Sequence, residues 1–324
     1  MHNYHDAWGI FPPGLVDDDD GPTEALHTGF TLLLPFLEET ALYNAYNFKA
    51  EAPPGTGGDF APDAAGARGV PARRGWANLA NSTVVSRQLA QFYCPSNRSE
   101  GLVKLGSPAF EAGACDYAMA SGAIPLLCTD RATNKNVAKL RGFFGPNSSV
   151  RIKDVNDGMS LTVAMTEVSG GPNWVGTSNI STRQPRDSDA FGYRAADPQP
   201  WFIDQGWGVA RIDGQRPNWP RGSTFVAAFQ HLGKNFRADA TSDELPAPIN
   251  PKIVMISKIG QRPGDFPCGS RGDRLSPVRS LHKGGANFLM GDGTARFIDE
   301  NVDLHVYSRV FTISGREILG EDDF

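Results

Sequence analysis

No run in this sequence approaches the roughly eighteen apolar residues of a membrane-spanning helix, and its first residues show no signal-peptide succession of basic, apolar and small residues. Read alone, the polypeptide stays in the cytosol. Basic residues are not in excess: 31 Lys and Arg face 36 Asp and Glu, a formal charge of −5. With no basic stripe along the chain, nucleic acid is not expected as a partner. Cysteine is scarce, and Cys94, Cys115, Cys128 and Cys268 show no Cys-x-x-Cys spacing, which argues against a zinc ribbon or a thioredoxin-type site. Also missing are His-Glu-x-x-His, a Gly-x-Ser-x-Gly elbow, a phosphate-binding glycine loop ending in Lys-Ser/Thr, and a dinucleotide fingerprint after a strand. A hydrolase finds no support, and no cofactor is expected. No repeat of fixed period occurs, which disfavours solenoids and propellers.

Two acidic stretches invite a calcium reading and fail it. Aligning Gly21, after Asp17, Asp18, Asp19 and Asp20, with the invariant glycine of an EF-hand puts Val16 at the first ligand position and His27 where the bidentate Glu belongs. The same alignment on Gly158 puts Lys153 first. Both read as solvated acidic loops, and no metal site is expected.

What the chain does have is turn chemistry and a sizeable apolar fraction. With 36 Gly, 24 Pro and 40% hydrophobic residues, it can build a core from many short elements, strands more than long helices. The strongest local signal lies between Leu281 and Glu300. Asp292-Gly293 suits a two-residue hairpin turn with positive φ at both positions. Setting Gly291 opposite Thr294 then pairs Met290 with Ala295, Leu289 with Arg296 and Phe288 with Phe297, so Phe288, Met290, Ala295 and Phe297 share a buried face.

Upstream, Leu32 to Asn47 reads as the best helix of the N-terminal half. Pro35 suits its first turn, Glu38 and Glu39 oppose the dipole, and Leu34, Leu37, Ala41 and Ala45 share a face that should dock on a sheet. Ala50 to Arg74 reads as a long loop, and Ser82 to Tyr93 as strand-like or mixed, ending at Cys94-Pro95. Tyr117 to Ala120 and Leu161 to Thr166 are strand candidates, with Asp157-Gly158 turning into the second. Near the end Asp303 can cap a short helix with Val306, Val310 and Phe311 on its apolar side and Gly315 as its stop. Fold class is therefore α+β: a helix packed on an antiparallel sheet, in one domain.

Blocks of the sequence carry a resemblance. His282, nine residues, then Asp292-Gly293 is similar to the His-x9-Asp-Gly signature of the pilin-like, prepilin-type proteins of planctomycete bacteria. His2 to Gly14 (HNYHDAWGIFPPG), Leu32 to Asn47, Phe92 to Arg98 (FYCPSNR), Asp116 to Gly122 (DYAMASG) and Ile152 to Glu167 (IKDVNDGMSLTVAMTE) resemble family blocks in family order. The resemblance implies a cell-envelope or extracellular protein whose relatives begin with a processed leader and a hydrophobic helix. Met1 falls at the end of that helix. The implied role is non-enzymatic, as a pilin-like or pseudopilin-like subunit with other subunits or secretion machinery as partners. For an exported protein the cysteines would pair, with Cys115 to Cys128 the most local of three pairings; buried thiols are the alternative.

Two sets of residues remain as candidates. If Ala286 to Gly291 is a strand, Asp292 lies about 20 Å from its start at ~3.3 Å per residue, so His282 and Asp292 are not expected to act together. The register instead places His282 near Asp303 or its neighbours, as a latch between the chains entering and leaving the hairpin; a ligand or catalytic histidine is the competing reading. The tract 172–267 departs from the family blocks and reads as an insertion. It holds Trp174, Trp201, Trp207 and Trp219, four of the six tryptophans. Trp201, Trp207 and Trp219 could stack on sugar faces, giving a filament-borne polysaccharide-binding alternative; packing in the insertion's own core is the competing reading.

Overall fold

The C-terminal hairpin forms, with a different turn from the expected one. The computed structural model describes residues 1–16, 27–49, 79–96, 101–105, 110–122, 141–145, 147–168, 205–208, 225–227, 249, 278, 280 and 282–315. In it β9 (Gly285–Met290) pairs antiparallel with β10 (Ala295–Asp299), Leu289 facing Ala295 and Phe288 facing Arg296. The Gly293 N–H donates to the Met290 carbonyl at 3.0 Å, and the Met290 N–H to the Thr294 carbonyl at 2.8 Å. Three residues therefore make the loop, in the pattern of a type I turn followed by a left-handed glycine. Gly293 has φ +92°, whereas Asp292 is not among the positive-φ residues.

Asp292 decides between the two turns. Its Oδ1 accepts from the Thr294 N–H at 2.9 Å and from the Thr294 hydroxyl at 2.7 Å, an Asx-type closure that leaves only Gly293 left-handed. The resulting one-residue slip turns β10 over. Ile298 is buried at 1% exposure, while Phe297 is 51% exposed and Ala295 also faces out. On β9, Ala286, Phe288 and Met290 point inward. Gly293→Val is expected to lower stability by roughly 1 kcal/mol or more, since a β-branched residue is strained at positive φ. A Cβ there would meet only the His2 ring at 3.8 Å, so the penalty is conformational rather than steric. An unchanged melting temperature would contradict the left-handed glycine.

A five-stranded sheet surrounds this hairpin, in the order β10-β9-β6-β5-β8, with β6 at Val163–Glu167, β5 at Tyr117–Gly122 and β8 at Phe225–Ala227. All neighbours are antiparallel except β5 and β8, which run parallel, so the all-antiparallel expectation fails at that edge. Alternation along β5 sends its side chains to two cores. Ala118 and Ala120 join Val163, Phe288, Met290 and Ile298 under Tyr307, Val310 and Phe311. Met119 and, on β6, Ala164 join Phe11, Leu15, Phe30, Leu34, Phe143 and Phe144 on the other side.

The C-terminal helix Leu304–Arg309 is capped as expected, Asp303 Oδ1 accepting from the His305 N–H at 2.8 Å and the Val306 N–H at 3.1 Å. It ends at Arg309 rather than at Gly315. The Gly315 N–H instead donates to Asp157 Oδ2 at 2.6 Å, which also accepts from the Thr312 hydroxyl.

The long N-terminal helix does not form in one piece. Helix Gly29–Leu33, capped by the Thr28 hydroxyl, passes into a 3-10 turn at Leu34–Leu37 with Pro35 in its first turn. Glu38 then takes a left-handed φ of +66° and a second helix runs Thr40–Ala45. The break rotates the expected face away: Leu34 is buried, but Ala41 and Ala45 are exposed. Ser82 to Tyr93 is helical, at Ser82–Val85 and in a 3-10 turn at Ala90–Phe92, with no strand.

A second sheet has the order β3-β4-β7 (Leu102–Leu105, Phe110–Cys115, Gln205–Gly206), and a two-stranded ribbon joins β1 (Leu15–Val16) to β2 (His27–Thr28). Through β7 and β8 the described parts of tract 172–267 enter both larger sheets. Among the described residues no helix is long and apolar enough to cross a membrane.

Candidate functional site

Three blocks far apart in sequence meet at the end of β6. Glu167 closes that strand opposite Tyr117 of β5. One position beyond the last β6–β9 backbone pair, its carboxylate replaces the ladder: Oε2 accepts from the Asn287 N–H at 2.9 Å and Oε1 from Asn287 Nδ2 at 3.2 Å. The carboxylate is thereby buried, its residue 3% exposed, with both oxygens hydrogen-bonded.

His282 arrives from the lead into β9. Gly284, at φ +86°, turns the chain just before the strand begins, a bend that non-glycine residues rarely adopt. His282 Nε2 lies 3.2 Å from Glu167 Oε1 and 3.8 Å from Cys94 Sγ. Cys94, 7% exposed, is a free thiol that follows the 3-10 turn at Ala90–Phe92. Its N–H donates to Asp116 Oδ2 at 2.8 Å, and the Asp116 N–H in turn donates to the Phe92 carbonyl at 2.8 Å. The three donor atoms, Sγ, Oε1 and Nε2, all lie within 4.8 Å of one another. His282 closes the group from outside, its side chain 34% exposed against 4% for that of Glu167.

Burial foremost, then the neighbouring Cys94, Glu167, Asp116 and Cys115, pushes the Tyr117 phenol up to about 12. A Cys-His-acid relay is excluded by geometry, because such a relay needs the acid on one imidazole nitrogen and the nucleophile on the other. Here thiol and carboxylate face the same nitrogen.

The expected latch between His282 and Asp303 is therefore a correction: His282 meets Glu167 and Cys94, while Asp303 caps the last helix. Gly285 stays in register with Asp299, and the left-handed Gly284 turns the chain away before His282. His282 and Asp292 do engage separate partners. At Asp292 partial burial works against ionisation, but the hydrogen bonds from Thr294 and the nearby Arg296 hold the carboxyl below its ordinary range. Next to it the His2 Nε2 lies 2.8 Å from the Gly291 carbonyl, so the opening block of the chain sits on the hairpin tip.

Trp207 is also corrected as a sugar-stacking ring. It is fully buried, and its Nε1–H donates to the Arg87 carbonyl at 2.9 Å. Trp201 and Trp219 lie outside the described residues, as do Cys128, Cys268 and Asp17 to Asp20. Cys115 is buried, its Sγ 3.1 Å from the Tyr117 carbonyl.

Sequence reasoning missed Cys94 and Glu167 as partners of His282. One signal was present: Cys94, Glu167 and His282 each fall inside a separate block with the family resemblance, FYCPSNR, IKDVNDGMSLTVAMTE and the His-x9-Asp-Gly stretch. A family model described as "Protein of unknown function (DUF1559)" matches residues 1–305. No curated protein and no solved structure matches the chain.

Proposed function

On the premise that this chain belongs to the family described as "Protein of unknown function (DUF1559)", we propose that it is a pilin-like subunit of the cell envelope, structural rather than catalytic, which contacts further copies of itself through its N-terminal helix. The resemblance to planctomycete prepilin-type proteins supports this reading, and one observation carries it. Helix His2–Trp8 has no buried residue. A seven-residue helix is not stable on its own in water, so it needs something to pack against.

Its inner anchoring comes from the His2 contact at the hairpin tip, from Met1 and Tyr4 packed half-buried on the core, and from Phe11 just beyond the helix, which is fully buried against the His2 and His5 rings. Outward it presents aromatic surface. Trp8 is 66% exposed, and Tyr4 bridges it to Phe36 with ring centroids 6.3 Å and 5.7 Å away. Such a patch is suited to contact with a neighbouring subunit.

The expected result is weak, concentration-dependent self-association in sedimentation velocity, reduced in a Trp8→Ser/Tyr4→Ser variant that keeps its circular dichroism. A strictly monomeric wild type at high concentration, with no binding of a hydrophobic dye, would overturn the subunit reading. The envelope assignment is tested separately, by fractionating cells and locating the chain with an antibody.

A further inference from the structure

We propose that Cys94, Glu167 and His282 form a binding site for one divalent transition-metal ion, with zinc the best-matched, which ties the segment carrying Cys94 and the end of β6 to the start of the C-terminal hairpin. This is independent of the subunit reading. Zinc holds thiolate, imidazole and carboxylate at about 2.3, 2.0 and 2.1 Å, so tetrahedral geometry asks for separations of about 3.6 Å between sulfur and nitrogen and about 3.4 Å between nitrogen and oxygen. The observed distances are 3.8 Å and 3.2 Å, and the remaining one is within 4.8 Å. Two edges of the tetrahedron are thus already close to the lengths required.

Two further observations point to a cation. First, hydrogen bonds behind two of the three donor residues fix their positions, as they do for metal ligands. Asn287 donates to both oxygens of Glu167, and Asp116 holds the backbone of Cys94. Second, the charge balances. A buried thiolate and a buried carboxylate together neutralise a divalent ion with a neutral imidazole, where either anion alone would be costly to desolvate. A plain His–Glu ion pair accounts for Glu167 and His282 but gives no reason for a thiol to face the same nitrogen.

Donor chemistry selects the ion. Sulfur and imidazole suit zinc and cobalt, whereas calcium and magnesium take oxygen ligands. The fourth position lies on the side of His282, whose side chain is one-third exposed at 34%, and is left to water.

The experiment titrates the full chain, stripped with a chelator and kept reduced, with Co(II) as a spectroscopic probe. One equivalent is expected to produce a thiolate-to-cobalt charge-transfer band in the near ultraviolet and the intense visible bands of a tetrahedral ion. Zinc should displace it and calcium should not. His282→Gln, the change at the most exposed ligand, is expected to weaken cobalt binding at least about tenfold. Cys94→Ser should abolish the near-ultraviolet band. Where Cys94→Ser does not fold, X-ray absorption on the zinc-loaded parent decides: one sulfur at about 2.3 Å supports the site. A shell of oxygen and nitrogen alone, a folded parent without the charge-transfer band, or a His282→Gln variant that binds cobalt as tightly as the parent would each overturn it.

Discussion

Trp207→Ala is expected to destabilise the protein by about 3–5 kcal/mol, the range for deleting a large aromatic side chain from a core. The ring is fully buried and packs on Phe92 with centroids 5.7 Å apart. Around it the chain is closely fitted. The Trp207 N–H donates to the Gly113 carbonyl at 3.0 Å, its own carbonyl accepts from the Thr28 hydroxyl at 2.8 Å, and its indole N–H meets the Arg87 carbonyl. Gly113 is a glycine because a Cβ there would collide with both the Arg87 carbonyl and the indole.

Truncation leaves a cavity and a carbonyl that has lost its donor, and the two costs add. Trp207→Phe is expected to cost less than Trp207→Ala: it removes the indole N–H, worth about 1–3 kcal/mol for the carbonyl left without its donor, but leaves a smaller cavity. Urea unfolding at neutral pH measures both. A loss under about 1 kcal/mol for Trp207→Ala would mean that the ring is not a core element, and would reopen its use as a binding surface.

The second large effect is a pH dependence with one dominant source. His27 is 5% exposed, its Nδ1 3.0 Å from the Tyr46 hydroxyl, with Tyr46 and Phe48 packed edge-on around the ring. Burial lowers its pKa from 6.5 to about 4. The unfolded chain therefore binds a proton in a range where the folded chain does not. Stability from this group is fully present above about pH 6.5 and falls away as pH drops towards about 4, a total of about 3 kcal/mol at 1.36 kcal/mol per unit.

Asp154 and Asp292, both held below the ordinary carboxylate range, lose their contributions only below about pH 4, so the window belongs to the histidine. Denaturation midpoints taken from pH 7 to pH 4.5 should fall steeply in the parent. His27→Gln, which cannot take the proton, should show a much flatter profile. Equal slopes in the two proteins would exclude His27 as the source.

The hairpin, strands β5 and β6, and the cap of the last helix could all be read from residues within a few positions of one another. Turn residues, alternation and an N-capping Asp act locally, and tertiary contacts only had to agree with them. Local rules were less secure where two similar solutions compete. At Asp292-Gly293 the dipeptide allows a two-residue or a three-residue loop, and the Asp292 side chain bonding to Thr294 selects the second. That one residue moves Phe297 from the expected core to the surface and Ile298 into the core. At Leu32 to Asn47 the apolar spacing was helical, but a proline and a left-handed Glu38 divide the run.

By itself, then, the sequence determined the C-terminal hairpin, β5, β6 and the cap of the last helix, because those preferences are set by neighbouring side chains and backbone sterics. It also carried the blocks by which the family could be anticipated. Tertiary structure alone decided what those blocks do together. Cys94 and His282 are 188 positions apart, and only the order of strands, with β9 beside β6 and β6 beside β5, brings imidazole, carboxylate and thiol onto one point. The same holds for Trp207, whose aromatic surface suits a sugar or a core equally well until β7 pairs with β4 and places the ring against Phe92. The physical reason is one of range: propensity acts over a few residues, whereas a site or a core is made by contacts whose partners no local pattern names.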